Sequence, residues 1–181
     1  MFTDTMIEYD KIEPFVSGYL KTKLSKELTK GLKDLCLKRN PTINDWNTYD
    51  FYCWEEPEIK ELNNIQVELV KEYMKIYNSV KVSDTFSFKG WVNIRNDDSW
   101  HPPHYHGDCS LILNTYVGVP EGSAVTFMNP NPALTDDGGV YHKIEPEEGT
   151  MILTPSWWIH WTEPTYKKEK RISMSSNVTI N

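Results

Sequence analysis

The chain has 181 residues, enough for one domain with a full core and too few for two of ordinary size. A formal net charge of −7 argues against broad adhesion to nucleic-acid phosphates or to an anionic membrane surface. The three cysteines, Cys36, Cys53 and Cys109, are odd in number and lack a Cys-x-x-Cys spacing, so they suggest neither a disulfide framework nor a thiolate zinc site and suit a reducing cytoplasm.

At the N-terminus, residues 1–10 carry no basic or apolar run, and no later stretch reaches the length of a membrane span, so a soluble, unprocessed chain is expected. The first helix is predicted over 22–38, where Leu24, Leu28, Leu32 and Leu35 recur at three- and four-residue steps and Asn40-Pro41 ends the run. Residues 42–56 are aromatic and acidic without a clean period and read as an ordered loop packed on the body. A second helix is predicted over 57–80: Pro57 suits a first turn, and Leu62, Ile65, Leu69, Tyr73, Ile76 and Val80 form one stripe, with Glu58, Lys60, Glu61, Glu68 and Lys71 on the other face. That stripe is core packing.

After Ser83 the pattern changes to short strand-like runs bounded by Gly, Pro, Asn and Asp: 86–94, 111–119, 124–128, 139–144, 150–154 and 171–180. Six such runs predict a jelly roll or barrel. The fold class is therefore mainly β with N-terminal helices (α+β), a single domain over 1–181 in which 1–82 form a helical support and 83–181 the β core. The turn-rich segment 129–139 is a candidate mobile loop.

The chemistry concentrates in Trp100-His101-Pro102-Pro103-His104-Tyr105-His106-Gly107-Asp108. In an extended strand His104, His106 and Asp108 would share one face. His160 follows 52 residues after Asp108, and Arg171, with Ser173 two positions on, follows 11 residues after His160. Two imidazoles and a carboxylate are the facial donor set that leaves positions open on non-haem iron(II). A buried Arg171 calls for an anion, and a dicarboxylate would supply it in bidentate geometry, with Ser173 on the same strand face. His101, before two prolines, reads as a loop residue; His142 reads as a surface strand residue, with the alternative that it points toward substrate. Asn93 and Tyr116 fall on strands expected to line the cavity, and Trp91, Trp158 and Trp161 read as core or pocket wall.

This order of residues, His-x-Asp, then His, then Arg-x-Ser, resembles the 2-oxoglutarate and iron(II)-dependent oxygenases. His104-x-His106, Tyr116-Val117, the run from Gly122 to Pro130, and Glu148-Gly149 through His160 resemble a bacterial and phage branch of that superfamily, over residues 91–177. The resemblance implies a double-stranded β-helix of cupin-like jelly-roll type, with iron held by His106, Asp108 and His160. It also implies 2-oxoglutarate held by Arg171 and Ser173; Asn93 and Tyr116, from their strand positions, read either as further donors to its carboxylates or as structural polar residues. In that branch the recurring pair is His-x-His, so a second register, His104 with His106 and His160, competes with the carboxylate register, which the charge balance of iron(II) favours.

The expected reaction is hydroxylation of a small-molecule or peptidyl substrate with release of succinate and CO2. Two rivals are a metal- or ligand-binding barrel without turnover and a three-histidine dioxygenase that does not use 2-oxoglutarate.

Overall fold

The computed structural model describes residues 8–12, 17–39, 50–77, 85–96, 99–129, 139–165 and 168–181. In chain order the elements are β1 (Glu8–Ile12), β2 (Ser17–Lys23), α1 (Lys26–Arg39), a 3-10 turn (Phe51–Cys53), α2 (Pro57–Tyr77), β3 (Phe86–Arg95) and β4 (His101–His104). Then come β5 (Leu111–Gly118), β6 (Val125–Met128), β7 (Tyr141–Ile144), β8 (Thr150–Pro155), β9 (His160–Thr162) and β10 (Arg171–Ile180). They make two antiparallel sheets, a major one in the order β1-β2-β8-β5-β10-β3 and a minor one in the order β4-β9-β6-β7. The sheets face each other as the two halves of a double-stranded β-helix, the mainly β jelly roll with N-terminal helices that the strand pattern predicts.

Period-two alternation divides the major sheet into two faces. Leu111, Leu113 and Val117 of β5, Ile172, Met174 and Val178 of β10, Val92 and Ile94 of β3 and Met151 and Leu153 of β8 join the helices in one core. There they meet Leu28, Leu32 and Leu35 of α1 and Ile59, Leu62, Leu69 and Tyr73 of α2. Each such leucine taken out of water contributes roughly 1.5–3 kcal/mol, which is what fixes the helices to this face. The opposite face presents Tyr116 and Ile152 to Val125, Phe127 and Ile144 of the minor sheet, with Trp158 in the same inter-sheet cluster. The alternate positions Trp91, Asn93, Arg95, Asn114, Arg171, Ser173 and Ser175 line the space left between the sheets.

The helices are predicted correctly in kind, but α1 starts four residues later than expected. The Ser25 hydroxyl accepts from Leu28 N at 3.1 Å and caps the helix, while Thr22 and Lys23 pair with Met151 and Thr150 in the β2–β8 ladder. The N-terminal region is consequently not only helical: β1 and β2 extend the major sheet. β4 and β9 are not among the six predicted runs, because four and three residues, one of them holding Pro102-Pro103, carry no measurable period; the extended strand considered for His104, His106 and Asp108 is met only at His104, the last residue of β4. Of the aromatic loop, residues 42–49 lie outside the described residues, as do 130–138 of the loop read as mobile. Phe51, in the described part, is fully buried against β3.

Gly90 makes that contact possible. A Cβ on Gly90 would stand 2.4 Å from Phe51 Cε1, and Gly90 N donates to Asp50 Oδ1 at 3.1 Å. Gly90→Ala is expected to destabilise the protein by about 1–3 kcal/mol through overpacking, measured by urea denaturation. An unchanged midpoint would show that the 3-10 turn is free to move.

Candidate metal and dicarboxylate site

Three histidines converge at one end of the inter-sheet cavity. β4 and β9 are antiparallel partners with His104 opposite His160, and His160 is also opposite Phe127 of β6. His106 lies just beyond β4, held by its own N–H donating to Ser156 O at 2.9 Å. One ring nitrogen from each of His104, His106 and His160 can be chosen so that all three lie within 4.8 Å of one another. The His106 and His160 rings stack at 5.4 Å and 6°, while His104 is tilted against both, at 4.4 Å from His160 and 5.1 Å from His106. Trp91 closes the far side of His106 at 5.9 Å.

Two of the three imidazoles have their orientation fixed from behind. His104 Nδ1 faces the Pro102 carbonyl at 2.8 Å and His160 Nδ1 faces the Trp158 carbonyl at 2.9 Å. A carbonyl only accepts, so each Nδ1 carries the proton and each Nε2 keeps its lone pair, as a metal ligand requires. Burial is the main cause that lowers His106 and His160 to about 4; proximity to His104 acts in the same direction at both, and the Trp158 carbonyl partly opposes the shift at His160. Neutral imidazoles at pH 7 are the state that binds a metal.

Asp108 stands apart from this group, contrary to the shared-face expectation. The chain does not stay extended: β4 ends at His104 and residues 107–110 bend into β5, starting at Gly107. Asp108 is exposed, and its Oδ1 accepts from Asn177 Nδ2 at 3.3 Å. His101, read as a loop residue, is the first residue of β4; it lines the cavity and stacks on His104 at 4.1 Å. His142 does not line the cavity, and its Nε2 is 3.4 Å from the Tyr19 hydroxyl.

The same cavity wall carries two cations. Arg171 and Arg95 are opposite each other in the β3–β10 ladder, both buried and both on the cavity wall. Burial lowers both guanidinium pKa values, and at Arg171 the Arg95 charge adds to that effect. Arg171 Nη1 donates to Glu163 O at 2.9 Å, and Nη2 donates to Thr162 Oγ1 at 2.8 Å and to Ser99 O at 3.4 Å. Ser173 pairs with Asn93 on one side and Tyr116 on the other, so all three share one row of the wall. Asn93 Nδ2 donates to Ser175 Oγ at 3.1 Å, and Ser175 in turn donates to Asn114 Oδ1 at 2.7 Å. Asn93 Oδ1 is buried without a hydrogen-bond partner.

Arg95 is a wall residue that the sequence reading does not include, although it continues the alternation Trp91, Asn93, Arg95, of which Asn93 is expected on the wall and Trp91 in the core or on the wall. Trp91 and Trp161 line the cavity, while Trp158 is buried in the inter-sheet core.

Residues 89–177 match the family described as "Putative 2OG-Fe(II) oxygenase". Among solved structures, a Pseudomonas putida prolyl-4-hydroxylase aligns with a TM-score of 0.66 at 14% identity, covering 91% of this chain and 94% of that one. The non-haem α-ketoglutarate-dependent epimerase SnoN from nogalamycin biosynthesis aligns at 0.67 and 12% identity, over 90% and 78%. HygX from Streptomyces hygroscopicus, with nickel and 2-oxoglutarate bound, aligns at 0.62 and 12% identity, over 91% and 82%. At these identities the likeness is one of fold. Among curated sequences, the DNA polymerase of Bacillus phage Nf is 27% identical over 150 residues, covering 78% of this chain; the chain spans only 26% of that polymerase's length.

Proposed function

We propose that this chain, which through residues 89–177 belongs to the 2-oxoglutarate and iron(II)-dependent oxygenase superfamily, hydroxylates a small-molecule or peptidyl substrate with release of succinate and CO2. The observation that carries the reading is one cavity lined both by three ring nitrogens within 4.8 Å of one another and by two buried guanidiniums. The donor chemistry suits the implied groups: imidazoles are good iron ligands, and paired arginines suit a carboxylate.

In this reading His104, His106 and His160 would hold iron(II), leaving its other positions for co-substrate and oxygen. Bound there, iron and 2-oxoglutarate supply the oxidising power that activates a C–H bond. The chain's own part is positional. The Pro102 and Trp158 carbonyls hold the imidazole tautomers, and Trp91 and Phe127 flank the His106 and His160 rings. Arg171, Ser173 and Tyr116 would orient the distal carboxylate, so that the 2-oxo acid end reaches the histidines. The inter-sheet apolar cluster keeps water from the back of the site.

The expected result is iron-dependent formation of succinate from 2-oxoglutarate in air, slow without substrate and faster with a member of a broad amine, peptide and sugar panel. Complete absence of succinate across that panel, with iron bound, would overturn the reading. The all-histidine donor set also favours a dioxygenase that does not use 2-oxoglutarate. The two part on a binding measurement, because only the first takes up 2-oxoglutarate when a metal is present.

A further inference from the structure

We infer that Asn177 is the positioning residue of His106: its side-chain oxygen accepts from the proton-bearing ring nitrogen, so that the other nitrogen keeps its lone pair for the metal. The assignment rests on the metal site of the functional reading above. His104 and His160 each have Nδ1 held by the carbonyl two residues earlier, that of Pro102 and that of Trp158. His106 stands beyond the end of β4, and among the described residues its ring has no backbone carbonyl behind it. A metal-binding imidazole needs such an acceptor to fix its tautomer and its ring plane.

Asn177 is placed to supply it. On β10 it continues the alternation Arg171, Ser173, Ser175, whose members line the cavity. Its neighbour on that face, Ser175, is opposite Trp91, which closes the far side of His106 at 5.9 Å. Asp108 sets the sense of the Asn177 amide. A carboxylate only accepts, so Nδ2 is the atom that faces Asp108 Oδ1, at 3.3 Å, and the amide oxygen is turned the other way. That oxygen is buried and short of a well-formed hydrogen bond, an acceptor shut away from water. Burial is the main cause that lowers His106 to about 4, and the Asn177 side chain acts against it, as does the Asp108 charge. An amide that turned its NH2 group to the ring would act in the opposite sense. Asp108 therefore serves the site from outside, by orienting Asn177, although it does not join the three histidines. At its exposed position water can replace the carboxylate as acceptor, so Asp108→Ala loses little while Asn177→Ala removes the acceptor itself.

The test uses full-length protein with nitrogen-15 histidine, loaded with zinc(II), which is diamagnetic. Competition against a chromophoric chelator gives the zinc affinity. Long-range proton–nitrogen correlation spectra give the tautomer of each ring and show whether its N–H is held against exchange with water. Asn177→Ala is expected to weaken zinc by between about 10-fold and about 100-fold. The His106 N–H signal, present in the parent protein, is expected to be lost to exchange, while those of His104 and His160 stay. Rescue separates this role from packing. The exchanged pair, Asn177→Asp with Asp108→Asn, again sets an acceptor at His106 and a donor beyond it, and should restore that signal and most of the affinity. Asn177→Asp alone brings two carboxylates together and should not. Thermal melts establish that each variant is folded, and Asn177→Asp with the exchanged pair carries the test if Asn177→Ala fails to fold. Unchanged zinc affinity or an unchanged His106 N–H in folded Asn177→Ala would overturn the assignment while sparing the functional reading. A loss that the exchanged pair does not restore would also overturn it, since Asn177 would then act by packing. If the parent protein binds no zinc through the three histidines, the assignment falls together with the metal site on which it rests.

Discussion

His104→Ala is expected to weaken iron(II) binding at least about 100-fold, whereas Asp108→Ala leaves it within about 2-fold, because outer partners of a metal site alone are already worth about 10–100-fold. The difference follows from where the chain turns. His104 closes β4 opposite His160, so its ring meets both other imidazoles, and its Nδ1 is held by the Pro102 carbonyl. Asp108 lies beyond the bend at residues 107–110, exposed and engaged by Asn177. Anaerobic competition against a chromophoric chelator measures both variants, with His160→Ala as the reference for a lost ligand. Equal losses in His104→Ala and Asp108→Ala would restore the carboxylate register and would mean that residues 107–110 rearrange when the metal arrives. In the three-histidine register the ligands bring no charge, so the ion's double charge would be left for the co-substrate to neutralise.

Much of this architecture is legible in the sequence because alternation is a strong signal in long strands. β3, β5 and β10 run for 10, 8 and 10 residues, and their period places Asn93, Tyr116, Arg171 and Ser173 on one wall without reference to any structure. What escaped depends on features shorter than that period. β4 and β9 exist because their partners hold them, with His104 paired to His160, and a four-residue His-Pro-Pro-His segment shows nothing of this locally. The choice between His104 and Asp108 turned on a single assumption, that the strand continues through Gly107. A glycine followed by Asp-Cys-Ser before an apolar run is itself a turn signal, and the chain bends there. Thr22 and Lys23 were read into α1 because lysine and threonine among leucines fit a helix. The Ser25 cap and the β8 edge decided otherwise.

Acid is expected to destabilise the metal-free protein strongly, through three imidazoles that burial holds below their ordinary value, His101 at about 3 and His106 and His160 at about 4; His160 shows how. Its ring is 6% exposed, and burial is the main reason that its pKa falls from the ordinary 6.5 to about 4. Above pH 6.5 the imidazole is neutral both folded and unfolded, so the contribution to stability is fully present. Between pH 6.5 and about 4 the unfolded chain takes up a proton that the folded chain refuses, and stability falls with decreasing pH. Below about 4 both states are protonated and the loss levels off, at about 3 kcal/mol for this group. His106, lowered to about 4 by burial, adds to the loss in the same direction. Urea denaturation of metal-free protein at a series of pH values should show this slope, and His160→Gln should make it shallower, since glutamine cannot take the proton while His101 and His106 remain. Loading with nickel should raise stability most near neutral pH and progressively less toward pH 4, because protons and metal compete for the same Nε2 lone pairs and the metal binds only the folded chain. A parent protein equally stable at pH 6.5 and pH 4.5, with His160→Gln indistinguishable from it, would mean that the imidazole has access to water in solution, and the dry back wall formed by Phe127 and Trp158 would have to be abandoned.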